Sequence, residues 1–71
     1  MIDVCVRVGR RIRYLRSTKG LSQIALAGLS GLSRVNLSRI ENGKAEAGLR
    51  TLQRIAAALN VKLADLMSTV D

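Results

Sequence analysis

Two arginines and an asparagine within a short stretch of the chain carry side chains that match the edges of nucleic acid bases. They are Arg34, Asn36 and Arg39, and Val35 lies between the first two. An arginine guanidinium pairs with guanine, an asparagine amide pairs with adenine, and valine methyls pack on the thymine methyl group. The same side chains also occur on solvated or half-packed helix faces. The four residues are therefore candidates for base contacts, with an ordinary surface role as the alternative.

Other polar residues nearby suit contacts with a phosphate backbone. Gln23 begins the preceding segment, where the N–H groups and the dipole of a helix N-terminus favour an anion. Lys44 follows Gly43 and can reach a phosphate as a point charge. Among the basic residues of the N-terminal segment, Arg10 is the preferred phosphate candidate. The alternatives are a first-turn glutamine, a loop lysine without a partner and a solvated basic face.

These candidates lie on two short helices that a tight turn joins. Ser22 suits the N-cap of a helix over 23–29, and Ser33 suits the N-cap of a second helix that ends at 40 or 41. Gly31 tolerates the positive φ that the turn needs. Many small proteins use such a pair to place side chains in a DNA major groove. The pattern predicts a helix-turn-helix unit over 22–41, with 33–41 as its recognition helix.

Further amphipathic helices frame this unit. One is predicted from an N-cap at Asp3 to about Lys19, another over 49–59, and a short last one follows. The short last helix contains Leu63, Leu66 and Met67. The apolar positions expected to face the core from the other helices are Val4, Val8, Ile12, Leu15, Ile24, Leu26, Ala27, Leu37, Ile40, Leu49, Leu52, Ile55, Ala56 and Leu59. The small residues Ala27 and Gly28 would let another helix cross closely. The expected fold class is all-α, a compact domain of five helices over 1–71.

Composition excludes several kinds of function. The chain has 71 residues, a net charge of +7 and a pI near 11.2, which indicates an anionic partner, with nucleic acid ahead of a membrane surface. A single cysteine, Cys5, and no histidine allow neither a disulfide framework nor a conventional zinc site. We therefore expect no enzyme, metal, cofactor or small-molecule ligand. No apolar stretch approaches the roughly 20 residues of a membrane span, so a cytoplasmic protein is expected.

The stretch from Leu21 to Gly43, LSQIALAGLSGLSRVNLSRIENG, resembles the lambda-repressor-like, or Cro/repressor, helix-turn-helix family. The similarity continues through Leu52, Ile55-Ala56, Ala58-Leu59 and Val61 up to Leu66. It implies a five-helix domain that binds operator DNA, usually as a two-fold dimer. Small phage repressors and restriction-modification controller proteins are similar to the chain in length and build.

The resemblance also implies roles for individual residues. Arg34, Val35 and Arg39 fall at positions that touch bases, with Asn36 close by. Gln23, Lys44 and the backbone near Asn42 and Gly43 fall where phosphates are held. Ser33, at the start of the recognition helix, is counted with the phosphate contacts. Arg16 and Glu41 match a structural ion pair between the first helix and the end of the third.

The chain departs from the family pattern in two places. Its second helix has Ile24, Ala25 and Gly28 where polar residues are common, and Ala47-Gly48 replaces a frequent proline. The apolar second helix keeps open an antitoxin-like or adaptor protein whose chief partner is another protein. Such a protein would bind its partner with little dependence on salt and without Arg34 or Arg39.

A homodimer is expected because one recognition helix reads too few base pairs for a unique genomic site. The predicted interface residues are Leu63, Leu66, Met67 and Val70, which leave more apolar surface than a small core needs. The alternative is that all four belong to the core. Since 71 residues leave no room for an effector domain, an autoregulatory protein that senses its own concentration is expected.

Overall fold

A computed structural model describes residues 3–68, which fold into five α-helices. The helices are α1 (Val4–Thr18), α2 (Gln23–Ser30), α3 (Arg34–Glu41), α4 (Leu49–Leu59) and α5 (Leu63–Leu66). Their bounds lie within one or two residues of those predicted from caps and apolar spacing, and the all-α fold class is confirmed. Within residues 3–68, every helix is too short or too polar to cross a membrane.

Side-chain caps begin the first three helices at the predicted residues. The cap oxygens accept backbone N–H groups of the first turn, with Asp3 Oδ1 2.8 Å from the nitrogen of Cys5, Ser22 Oγ 3.0 Å from that of Ala25, and Ser33 Oγ 3.1 Å from that of Asn36. Each bond satisfies a donor that the helix itself leaves without a partner. The caps therefore fix where α1, α2 and α3 begin.

Aliphatic side chains from every one of these helices meet in the core. The most buried large ones are Ile12, Leu26, Leu37, Ile55, Leu59 and Leu66. Burying one such side chain contributes roughly 1.5–3 kcal/mol. Because α4 packs on α1, α2 and α5, and α3 packs on α1 and α2, the core holds the α2–α3 pair at a fixed angle on a frame of the other helices.

Helices α1 and α3 approach each other closely at Gly9 of α1. A Cβ added there would overlap the carbonyl oxygen of Ile40 and lie 2.6 Å from that of Glu41. The sequence pattern indicated Ala27 and Gly28 as close-crossing positions. Ala27 is buried, but a Cβ at Gly28 would meet nothing within 4 Å. The crossing that brings the end of α3 against α1 therefore depends on Gly9, a residue that periodicity does not distinguish from its neighbours.

Three apolar residues that were predicted to face the core are exposed. Val4, Ile24 and Leu49 have exposed fractions of 60%, 69% and 74%. Val4 and Leu49 are the first residues of α1 and α4, so their side chains extend past the end of the core. Ile24 precedes Leu26 by two residues, which turns it about 200° away around α2. Helical spacing identifies the core stripe but not where the partner helices end.

The prediction that Leu66 lies in a dimer interface is wrong. Leu66 is fully buried in the core of the chain, so its side chain is not available to a second copy. Leu63 is partly buried against the same core, whereas Met67 is 48% exposed. Val70 lies outside the described residues.

Candidate nucleic-acid interface

One side of α3 faces solvent and carries all of the predicted base-contact residues. Arg34, Val35, Asn36 and Arg39 are exposed, whereas Leu37 and Ile40 on the other side are buried. At about 100° per residue, the exposed four lie within an arc of about 200° around the helix. Two guanidinium groups, an amide and a branched apolar side chain are thus presented together, which is the chemistry that base edges require.

The turn between α2 and α3 sets the angle at which this face is presented. Gly31 ends α2 with a φ of +70°, which is a left-handed conformation that glycine adopts without strain. The next N–H, that of Leu32, donates to the carbonyl of Ala27 at 2.8 Å, and the Leu32 side chain packs against the core. The turn is therefore fixed by backbone bonds and by an apolar side chain beneath it.

Arg39 and Lys44 meet at the other end of α3. Gly43 has a φ of +71°, and the N–H of Lys44 donates to the carbonyl of Arg39 at 2.9 Å. In return, Arg39 Nη2 donates to the carbonyl of Lys44 at 3.2 Å. A predicted base contact is thus oriented by the backbone of a predicted phosphate contact, while the guanidinium keeps further donors for a ligand.

A buried ion pair ties three helices together behind this face. Arg16 Nε lies 2.7 Å from Glu41 Oε2 and Nη2 lies 3.1 Å from Oε1, while Nη1 donates to the carbonyl of Leu21 at 2.9 Å. Glu41 is 2% exposed. Arg16 therefore connects α1 to the turn before α2 and to the end of α3. Its pairing with Glu41 is the one that the family resemblance implied.

Several opposing effects set the charge state of Glu41. Burial raises the pKa of the carboxyl group, but hydrogen bonds from Arg16, Gln23 and Arg13 and the positive charge of Arg16 outweigh it. The pKa of Glu41 is consequently lower than its usual value, and the carboxylate stays ionised.

Gln23 lies in the ion-pair cluster, with its side chain directed inward. Its Nε2 donates to Glu41 Oε1 at 3.0 Å. A phosphate contact at the start of α2 would therefore be made by backbone N–H groups of the first turn, which point out of the helix end. Ser33 is likewise occupied locally, as the cap of α3, and Arg10 is exposed on α1.

Arg13 belongs to this site, although Arg10 was the phosphate contact predicted from the basic residues of α1. Its Nη2 donates to Asn42 Oδ1 at 2.9 Å, and its Nε lies 3.5 Å from Glu41 Oε1. A signal was available in the sequence, because Arg13 precedes Arg16 by three residues and so shares a helix face with it. The structure thereby connects α1 to Asn42, a predicted phosphate contact.

An apolar groove of about 280 Å³ opens on another part of the surface. We use the name apolar groove for the surface formed by Val4, Cys5, Val8, Leu49, Leu52 and Met67 with the loop before α4. Burial raises the pKa of the Cys5 thiol, and Asp3 raises it further. The thiol therefore stays protonated at neutral pH and acts here as a small apolar group.

Comparison with known proteins gives consistent matches. The helix-turn-helix family model matches residues 12–66. Control protein C.MunI of Mycoplasma sp is 38% identical over 100% of this chain and 97% of its own length. Antitoxin PezA of Streptococcus pneumoniae serotype 4 is 35% identical over 84% of this chain, which spans only 38% of the antitoxin. The crystal structure of restriction-modification controller protein C.AhdI from Aeromonas hydrophila superposes with a TM-score of 0.86 at 40% identity, covering 87% of this chain and 94% of that one.

These matches confirm the resemblance that the stretch from Leu21 to Gly43 indicated. The family match includes all of α2, α3 and α4 and every residue of the candidate interface except Arg10. The chain belongs to the helix-turn-helix family of DNA-binding regulators.

Proposed function

We propose that this protein is a sequence-specific transcriptional regulator that binds operator DNA as a homodimer and controls its own gene. The observation that carries the proposal is the exposed face of α3, which offers two arginines, an asparagine and a valine from a helix held in place by a buried ion pair. A rigid helix that presents donors toward solvent is suited to insertion in a major groove.

In this proposal the base contacts come from α3. Arg34, at the first turn, and Arg39 donate bidentately to guanine O6 and N7. Asn36 pairs with adenine, and the methyl groups of Val35 pack on thymine. Because the carbonyl of Lys44 already orients Arg39, less rotamer freedom is lost when that arginine binds a base.

The phosphate contacts surround α3. Lys44 and Asn42 follow its C-terminal end, and the first turn of α2 lies beside that same end, where Gln23 contacts Glu41. Ser33 caps its N-terminal end, and Arg10 reaches the flanking backbone from α1. Contacts of this kind fix the register of the helix on the duplex without reading sequence. They also make binding weaken as salt rises, because each neutralised phosphate releases counterions.

The apolar groove supports a homodimer. Its rim residues Val4, Leu49 and Met67 are between 48% and 74% exposed, and one recognition helix reads too few base pairs to define a unique site. We propose that a second copy covers this groove around a two-fold axis, with Leu63 at the edge of the contact. Because both dimerisation and operator occupancy then depend on concentration, the protein senses its own abundance.

A fluorescence anisotropy titration tests this function. The duplexes are DNA from upstream of the protein's own gene and a scrambled duplex of equal length, each across a salt series. The expected result is tight binding to the upstream duplex only, weakened steeply by salt and lost in Arg39→Ala. Equal, weak binding to both duplexes would contradict sequence-specific autoregulation.

A second candidate function is an antitoxin-like or adaptor module. It is favoured by the exposed apolar residues of α2, Ile24 at 69% and Leu29 at 64%, and by the similarity to antitoxin PezA over 84% of the chain. Its partner would be a protein with a complementary apolar surface. Affinity for that partner would change little with salt and would not require Arg34 or Arg39, which separates this function from the first.

A further inference from the structure

A row of polar contacts leads from the buried carboxylate to the outer end of α3. Arg13 lies between Glu41, 3.5 Å from its Nε, and Asn42, whose Oδ1 accepts from Nη2 at 2.9 Å. The Asn42 amide nitrogen in turn lies 3.4 Å from Ser38 Oγ. Since Asn42 is the C-cap residue of α3, the row ends where the family resemblance places a phosphate.

These contacts allow the Asn42 amide only one orientation. A guanidinium has donors and no acceptor, so the amide atom that faces Arg13 must be the oxygen. The NH2 group is then directed away from Arg13, toward the side of α3 that carries Ser38. It has two hydrogens and makes one long bond within residues 3–68, which leaves a donor for an external acceptor.

We propose that Arg13 is a positioning residue for DNA binding, which fixes the Asn42 amide so that its N–H groups, and not its oxygen, meet a DNA phosphate. The inference rests on the proposed function and adds to it a residue that acts through Asn42. A phosphate oxygen only accepts hydrogen bonds. An amide turned the other way would present an acceptor to an acceptor and lose the contact.

The shape of arginine suits this role, and lysine does not replace it. The planar guanidinium reaches Glu41 with one nitrogen and Asn42 with another, so the position of the carboxylate determines that of the amide. A lysine carries the same charge on a single nitrogen and cannot hold both groups in this geometry. Glu41 keeps its close pair with Arg16 in either case, so we expect the fold to tolerate Arg13→Lys.

The test compares Arg13→Lys, Asn42→Ala and the double variant with the wild-type protein. Affinity is measured by anisotropy on the upstream and scrambled duplexes, because a phosphate contact contributes to both. We expect each single variant to bind both duplexes about fivefold more weakly, the equivalent of one hydrogen bond. The double variant should bind as Asn42→Ala does, since Arg13 acts only through that amide.

A spectroscopic measurement without DNA separates this proposal from the proposed function. The side-chain NH2 group of Asn42 gives its own pair of signals in a ¹H–¹⁵N spectrum of the free protein. Arg13→Lys should shift that pair toward the position of a solvated amide while the melting temperature stays near the wild-type value. Unchanged signals would overturn the positioning role even if the protein reads its operator as proposed.

Two binding results would also overturn the proposal. The first is that Arg13→Lys binds both duplexes with wild-type affinity. The second is that the double variant loses affinity by the product of the two single losses, which would mean that Arg13 acts on DNA independently of Asn42. Asn42→Asp gives a further control, because its carboxylate keeps the acceptor for Arg13 but removes the donor. It should weaken binding to both duplexes by about tenfold or more through repulsion of phosphate, and wild-type affinity in this variant would contradict the role of Asn42.

Discussion

Glu41 is a carboxylate that is 2% exposed and that accepts hydrogen bonds from Arg16 and Gln23, with Arg13 nearby. An ionised group so far from water is tolerated only when donors replace its hydration. The donors come from α1 and α2, while Glu41 belongs to α3. A single residue therefore makes the placement of the recognition helix depend on two other helices.

Removing the main partner of Glu41 should destabilise the fold. Arg16→Ala leaves the buried carboxylate without its close pair, and we expect a loss of about 3 kcal/mol in the free energy of unfolding, measured by urea denaturation. Arg39→Ala is the matched control, because Arg39 is exposed and should lose DNA binding with little change in stability. Equal stabilities of the two variants would show that the ion pair does not support the fold.

The lowered pKa of Glu41 makes a prediction about acid. A carboxyl group whose pKa is lower in the folded than in the unfolded chain contributes stability above the unfolded value, here about 4.5, and loses it as the pH falls through the folded value. The wild-type protein should therefore lose stability below about pH 4.5. Glu41→Gln should be less stable near neutral pH, and the difference from wild type should shrink as the pH falls. A difference that stays constant down to about pH 2 would contradict this assignment.

At the level of helices, features that depend on neighbouring residues were predicted from the sequence more accurately than features that depend on tertiary packing. The capping oxygens of Asp3, Ser22 and Ser33 act within three residues of themselves, so a sequence window contains all the information needed to place a helix start. The exposure of Val4 and Leu49 depends on where other helices end, and the inward position of Gln23 depends on Glu41, 18 residues away. Such facts follow from tertiary contacts that periodicity does not encode.

Gly9 gives the sharpest test of this difference between local and tertiary information. Gly9→Ala puts a methyl group against the carbonyls of Ile40 and Glu41, which cannot move without shifting α3, so we expect a loss of about 3 kcal/mol. Gly28→Ala is the control, since its methyl group meets nothing within 4 Å, and alanine should stabilise α2 by about 0.5–1 kcal/mol. Thermal melts of both variants measure these changes in stability. Similar melting temperatures would mean that α1 and α3 are not held at this crossing.

At the level of the whole molecule, the charges divide unevenly between fold and surface. The chain has 12 lysines and arginines against 5 acidic residues. Three of those acids are occupied within the fold: Asp3 and Asp65 accept backbone N–H groups, and Glu41 pairs with Arg16. Because the Glu41–Arg16 pair is neutral as a unit, the net charge of +7 lies on the rest of the chain, which favours rapid association with DNA at low salt.

The proposed dimer leads to a prediction about two exposed apolar residues. Leu49→Gln, at the rim of the apolar groove, should weaken dimerisation by more than tenfold, because a two-fold contact loses the same side chain twice. Ile24→Gln changes a residue of similar exposure on α2 and should leave dimerisation unchanged. Sedimentation velocity at micromolar concentration measures both. If the two variants dimerised equally well, the interface would lie elsewhere on the chain.

The most direct test of the account compares Arg34→Ala with Lys44→Ala in anisotropy titrations on the operator and scrambled duplexes. Arg34 is assigned to bases, so its loss should reduce the preference for the operator by about tenfold or more and leave affinity for the scrambled duplex almost unchanged. Lys44 is assigned to phosphate, so its loss should weaken both duplexes alike and lower the salt dependence. If Arg34→Ala instead weakened both duplexes equally and kept the operator preference, the exposed face of α3 would not be the surface that reads sequence.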